Sequence, residues 1–260
     1  MAYLNTGPTA PADPAAARAP APMPDHGGEP SRGARHAMDQ PGPARTTSQP
    51  VPVLLADEFF RLAHNDSTGR RRLHGRAIEL GLAAALLGEL MFERKVAGQD
   101  GQLHLLDPGP PADALAHATL DQLLAQPQHR NLRVWLDFLS RDAYESVAHR
   151  LWKAGHVRPE ARRVLLRQTV IYVPTDSNAA VWPWARLSTG LIRNEPFSPV
   201  DAFLVGLAAV TGLDSDLLDG APAPARRYMR HLVASAHPSL RELLWHTQAA
   251  VGDAVLAYRG

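Results

Sequence analysis

At 260 residues with a formal net charge of +1, the chain can form one large domain or two small ones, and any basic surface must be local, because no global field favours nucleic acid or membranes. Its apolar content of 45% supports a real core, and the absence of cysteine excludes disulfides and thiolate metal sites and fits a reducing compartment. The opening MAYLNTGPTAPADP lacks the basic start and apolar run of a signal peptide, so the expected location is cytoplasmic.

Lys95 and Lys153 are the only lysines among the basic residues. With abundant Ala and Pro, that bias is the codon signature of a GC-rich genome and points to a bacterium. Residues 1–50 are rich in Pro, Ala, Gly and Ser and poor in large apolar residues. Such a segment cannot offset its ordering entropy and is expected to be a disordered tail. A single folded domain is expected over 51–260.

Val53–His64 carries Leu54, Leu55, Phe59 and Leu62 at helical spacing, and Asn65-Asp66-Ser67-Thr68-Gly69 is a dense turn signal. The stretch Arg76–Lys95 then runs apolar almost all round a helix from Ile78 to Phe92, interrupted by Glu79, Glu89 and two glycines. A helix apolar on every side lies inside a helical domain. Spanning a membrane needs about 20 apolar residues, and two carboxylates in a shorter run argue against it.

Lys95–Leu106 alternates around Asp100-Gly101, a hairpin turn. Asp113–Ala125 and Asn131–Leu139 read as helices, and Ser140 as the cap of another running Arg141–Ala154, stopped at Gly155. His156–Val173 is rich in β-formers and reads as a second hairpin. Asp176–Ile192 returns to helix, with Pro183 in its first turns or breaking it. Ser198-Pro199-Val200-Asp201 opens a strongly apolar helix. Arg226–Ala236 and Pro238–Tyr258 complete the chain, the last packing through Leu240, Leu244, Trp245, Ala249 and Val255. The expected fold is mainly α: one helical domain around a buried central helix, with one or two β-hairpins.

Catalytic signatures are missing. There is no HExxH pair, no GxSxG elbow, no Walker loop and no GxGxxG after a strand. His104, His117, His129 and His149 are too scattered for zinc. Asp214, Asp216 and Asp219 lack the glycine and terminal Glu of a calcium loop and read as an acidic helix start. Glu79 and Glu89 fall about 80° apart around a helix and roughly 15 Å along it, which is too far for paired acid–base work, so both read as helix-edge carboxylates. No enzyme, no metal site and no cofactor is expected.

The order LLADEFFRLAHNDSTGR, then GLAAALLGELMFERKV, then the Arg141–Gly155 helix, a hairpin and an apolar helical C-terminal half resembles the GPP34 family. That family includes the Golgi phosphoprotein 3 proteins of eukaryotes and many bacterial, particularly actinobacterial, members. The resemblance covers about Val53 to Gly260. It implies a non-enzymatic peripheral membrane protein that binds phosphatidylinositol 4-phosphate.

In the eukaryotic members the pocket uses a Trp in the loop after the first turn, an Arg in the next helix, and two Arg three residues apart at the start of a later helix. Alignment on Gly69 and Glu89 puts the Trp position at His74 and the helix Arg at Ala83. Alignment on Leu151–Gly155 puts the later pair at Arg141 and Tyr144. One of the three pocket arginines is therefore retained, and the Trp is replaced.

Arg70, Arg71, Arg72 and Arg76 crowd the loop beside His74, and arginine suits forked contacts with phosphate. The expected ligand is accordingly an anionic phospholipid headgroup on the inner face of the plasma membrane, held by His74, Arg71, Arg72, Arg76, Arg141 and Tyr144. The bland alternative is a solvated loop pairing with Asp57, Glu58 or Glu79.

The Arg158–Val173 hairpin corresponds to one that mediates self-association in eukaryotic relatives, so Arg158, Leu165, Val170 and Ile171 are expected at a homo-oligomer contact. Packing back onto its own domain is the alternative. A rival of another class is a winged-helix DNA-binding module, in which Arg158, Arg162, Arg163 and Arg167 form the wing. Asp142 and Glu145 on the preceding helix argue against it, and no nucleic acid is expected. A protein-interaction scaffold without a lipid ligand is the third reading.

Overall fold

The computed structural model describes residues 54–164 and 167–259; the expected tail and Leu165 of the second hairpin lie outside them. Pro50–Gly260 forms one compact unit. It is mainly α-helical with two small antiparallel hairpins, as the periodicity predicts.

Helix α1 (Leu55–Leu62) leads into α2 (Gly75–Phe92), whose residues from Leu80 to Met91 are all buried. Helices α1, α3 (Ala114–Ala125), α4 (Leu132–Lys153), α6 (Pro199–Thr211) and α9 (Pro238–Arg259) pack around α2. The glycines of α2 make room for them. A Cβ on Gly81 would stand 2.3 Å from the Phe59 ring, and one on Gly88 would stand 2.6 Å from Phe203. Two large aromatics thus reach the axis of the central helix. Among the described residues no helix is long and apolar enough to cross a membrane.

Helix α2 stops at Phe92, where the apolar run gives way to Glu93, Arg94 and Lys95. Arg94 adopts a left-handed φ of 56°, its N–H donates to the Met91 carbonyl (3.0 Å), and the Lys95 N–H donates to the Leu90 carbonyl (2.8 Å). This double closure satisfies carbonyls the helix end would otherwise leave open. Strands β1 (Val96–Gln99) and β2 (Gln102–Leu105) follow, turning at Asp100 and Gly101, both with positive φ as a two-residue hairpin requires.

The two helices expected either side of Ser140 are one. Helix α4 runs unbroken, because Leu132, Leu136, Leu139, Ala143, Val147 and Leu151 keep one helical stripe in register through the serine. Ser140 is fully buried and donates back to the Asp137 carbonyl (2.9 Å) in place of capping. At the far end Gly155 takes the expected left-handed conformation, φ 75°, and the His156 N–H closes on Leu151 (2.9 Å).

Strands β3 (Val157–Val164) and β4 (Arg167–Pro174) pair from Val157 against Pro174 outward to Val164 against Arg167. Among the described residues of this hairpin only Val157 and Val173, at its inner end, are buried; Val170 is 52% exposed. Helix α5 (Ser177–Arg193), capped by Asp176, carries Pro183 without breaking. Helix α6 is capped by Ser198, and α7 (Asp214–Leu217) is a short turn with Asp214 and Asp216 at its start. Helix α8 (Ala223–Ser235) begins a turn earlier than expected, after Pro222.

The packing expected of α9 is corrected at two residues. Its buried side carries Leu240, Leu243, Leu244, Thr247, Ala250 and Val251, while Trp245 is 63% exposed and Val255 is 40% exposed. A stripe through 240, 244, 247 and 251 leaves position 245 about 130° off the core direction.

Candidate anion-binding site

The loop between α1 and α2 is built rather than slack. Asn65 Oδ1 accepts from the Ser67 N–H (3.2 Å), the Thr68 N–H (2.9 Å) and the Thr68 hydroxyl (2.8 Å). The Gly69 N–H donates to the Asn65 carbonyl (2.9 Å), the Asn65 N–H to Arg70 (2.8 Å) and the Arg72 N–H to Ala63 (2.9 Å). Gly69 has a φ of 65°, and a Cβ there would stand 2.2 Å from the Tyr172 carbonyl oxygen. The turn therefore lies directly on the backbone of β4, an approach that glycine alone permits.

That frame aims Arg70 and Arg71 outward, both exposed. The Arg71 guanidinium lies over the Tyr144 ring, 4.3 Å from its centroid, in a cation–π arrangement. It also covers the start of α2, since a Cβ on Gly75 would meet Arg71 Nη1 at 2.9 Å. His74 caps α2, its Nδ1 accepting from the Arg76 N–H (3.3 Å).

Arg72 is half-buried and donates from Nε to the His64 carbonyl (3.1 Å). Arg76 is held on three sides, donating to Asp137 (2.9 Å), Ser140 (2.7 Å) and Glu79 (3.4 Å). Exposed Arg141 shares the face of α4 that carries Asp137 and Tyr144, one turn from each. Ala83 is fully buried in α2 and takes no part. The structure thus brings Arg71 and Tyr144 together, sets His74 as the cap of α2, gives Arg72 and Arg76 bracing roles, and leaves Arg70, Arg71 and Arg141 with no carboxylate partner among the described residues.

Of the acids expected to neutralise the loop, Glu79 does meet Arg76. Glu58 pairs instead with Arg61 (2.9 Å) and Arg186 (3.0 Å). Asp57 belongs to a buried knot, and so does Glu89, which corrects its reading as a helix-edge carboxylate. Arg150 of α4 reaches Asp57 (2.8 Å), Asp113 (2.8 Å) and Glu89 (3.3 Å), and Glu89 also accepts from the Ala56 N–H (2.8 Å). Burial raises the Asp57 and Glu89 pKa values more than Arg150 lowers them. Burial works against the charge on Arg150, but Glu89, Asp57 and Asp113 outweigh it and hold that charge firmly. This knot ties α1, α2, α4 and the start of α3 together.

An aromatic floor escaped the sequence reading. His64 stacks on Phe60 with centroids 4.1 Å apart, and Tyr144 lies 5.7 Å from His64 and 6.1 Å from Tyr172. Tyr172 in turn donates to Glu145 (2.8 Å). His64 Nδ1 meets the Phe60 carbonyl (2.7 Å), while its Nε2 is buried without a partner. Burial lowers the His64 pKa to about 4, with Arg71 and Arg72 pushing the same way, so the ring is neutral at physiological pH. Burial likewise raises Tyr144, against the pull of Arg71. The available signal was the position of His64, one residue beyond an apolar stripe and directly before the turn.

The arrangement is a rigid cationic rim of exposed arginines over an aromatic floor, at a helix N-terminus. Chemically it can hold a compact anion by forked, charge-assisted hydrogen bonds. No curated protein matches the chain. The family model described as Golgi phosphoprotein 3 (GPP34) matches residues 55–256, and the chain belongs to that family.

Proposed function

We propose that this protein is a non-catalytic peripheral membrane protein that docks on anionic phospholipid headgroups through the Arg70–His74 loop and Arg141. The observation that carries the reading is Arg71: an exposed guanidinium fixed over Tyr144 at the start of α2, with donors to spare and no carboxylate partner among the described residues. Membership of a family described by Golgi phosphoprotein 3 supports the same direction. Arg71 and Arg141 would contact phosphate directly, Arg70 would add field, and Arg72, Arg76 and Tyr144 would hold the frame.

Co-sedimentation with vesicles that are neutral, generically anionic, or doped with phosphatidylinositol 4-phosphate tests the reading. Binding to anionic vesicles and not to neutral ones is expected, and preference for the phosphoinositide would define a specific pocket. Absence of binding at low salt overturns the proposal in favour of a protein partner. Binding of duplex DNA that weakens steeply with salt would favour the winged-helix layout of α4 and the β3–β4 hairpin.

We also propose that the hairpin supports self-association. Its exposed Val170 and half-buried Ile171 sit on a projecting ribbon, while Arg158 is occupied by Glu160 (3.0 Å). A two-stranded ribbon with an apolar residue on its surface gains stability by pairing with another copy.

A further inference from the structure

A cavity lies on helices the headgroup reading does not use. It occupies about 470 Å³ between the end of α6, α8 and α9. Val210, Leu218 and Met229 form a buried apolar floor, and half-buried Val233 extends it. Arg226, Arg230 and Arg241 stand around the opening, all three exposed.

None of the three is neutralised by an ion pair among the described residues. Arg226 Nη2 donates to the Leu218 carbonyl and Arg241 Nη1 to the Ala234 carbonyl, each at 3.2 Å. Each contact uses one of a guanidinium's five N–H donors. Arg226 and Arg230 are four residues apart on α8, a like-charge spacing that is unfavourable unless an anion relieves it. The single acid in the lining is Asp214 of α7, so the opening carries a net positive charge.

Apolar floor and cationic rim together select an amphiphile. The volume falls within the range of about 300–1,000 Å³ typical of small-molecule sites. It suits one folded or partly inserted hydrocarbon chain better than a helix about 10 Å across. Planar, forked guanidinium groups match phosphate oxygens in pairs.

We propose that this groove binds a single-chain phosphate amphiphile, the chain on Val210, Leu218, Met229 and Val233 and the phosphate between Arg226, Arg230 and Arg241. This site is separate from the loop at Arg71 and does not depend on it.

Calorimetric titration of the full chain with monomeric dodecyl phosphate, below its micelle concentration, tests the proposal. Inorganic phosphate and dodecyl maltoside serve as head-only and neutral controls. Saturable binding to dodecyl phosphate, at least about tenfold tighter than to either control, is expected. Arg226→Gln/Arg230→Gln/Arg241→Gln should weaken it at least about tenfold. Ala234→Trp, which narrows the opening from an exposed position, should weaken it without moving the thermal unfolding midpoint of the free protein. Arg70→Glu/Arg71→Glu should leave it unchanged, which separates this groove from the headgroup site. The proposal is overturned if the triple variant binds as wild type does, if the maltoside or inorganic phosphate binds as tightly, or if dodecyl phosphate does not bind.

Discussion

Arg150 carries three carboxylates, and its removal would leave Asp57, Glu89 and Asp113 crowded together without a cation. Breaking a buried pair from one side costs about 3–5 kcal/mol, so Arg150→Ala should lower unfolding stability by that amount in denaturant titration. A loss under about 1 kcal/mol would mean that the knot is ornamental. Glu89→Gln is the gentle counterpart, since an amide oxygen can still accept from Ala56. The folded pKa of Glu89 lies above its unfolded value, so the folded state holds the extra proton. Its contribution is complete below about pH 4 and is lost as pH rises through the raised value. Glu89→Gln should therefore remove that downward slope. His64 acts in the opposite sense. Its folded pKa of about 4 lies below the ordinary 6.5, so its contribution is present above pH 6.5 and is lost as pH falls toward 4. The difference amounts to about 3 kcal/mol by pH 4. His64→Phe preserves the stack on Phe60 and should unfold with that much less sensitivity to acid, measured as denaturant midpoints across the pH range. Equal acid sensitivity in wild type and variant would place the titrating group elsewhere.

Between α1 and α2 the critical position is Gly69, where both conformation and space are decided by backbone atoms of β4. Gly69→Ala adds left-handed strain to a clash with the Tyr172 carbonyl and should cost about 2–4 kcal/mol in thermal or chemical unfolding. A neutral result would show that the loop can lift off the hairpin. The turn itself was legible, because Asn-Asp-Ser-Thr-Gly carries its chemistry in five consecutive residues; its contact with a strand a hundred residues later was not. The same division runs through the whole fold. Helix α2, the Asp100-Gly101 hairpin and the Ser198 and Gly155 caps are local patterns and could be read directly. Ser140 misled because a good cap residue also bonds back to its own helix, and only the apolar stripe through Leu139 and Ala143 decides between the two. Glu89 misled because its partner, Arg150, is 61 residues away. In the site, the arginine cluster was visible as composition, while the sorting of Arg71 outward and Arg76 inward depends on Tyr144, Asp137 and Ser140 of α4. The β3–β4 hairpin carries its own test. Val170→Asp should shift the mass measured by light scattering toward the monomer, and an unchanged mass would assign the ribbon to its own domain.

With a net charge of +1, the molecule as a whole has almost no monopole to draw it to a membrane, so attraction must come from one face. Arg70, Arg71 and Arg141 supply that face, and each exposed basic residue near an anionic bilayer contributes about 1 kcal/mol. The range of that attraction is short, about 10 Å at 0.1 M salt, so the arginine rim must approach the surface closely and in one orientation. Two consequences follow for vesicle binding. Raising salt should weaken it progressively, more for generically anionic vesicles than for any lipid gripped by direct guanidinium–phosphate bonds, which are partly shielded from solvent. Reversing Arg70 and Arg71 to glutamate should cost at least roughly thirtyfold in affinity. Arg72 is the wrong residue for this experiment, because its bond to the His64 carbonyl makes a charge reversal there a change of fold as well as of field. Arg70→Glu/Arg71→Glu leaves that bond in place and gives up only the exposed contact of Arg71 with the Tyr144 ring, so its free stability should fall by no more than about 1 kcal/mol. If the double variant still sediments with anionic vesicles as wild type does, the rim is a solvated surface and the membrane reading fails with it.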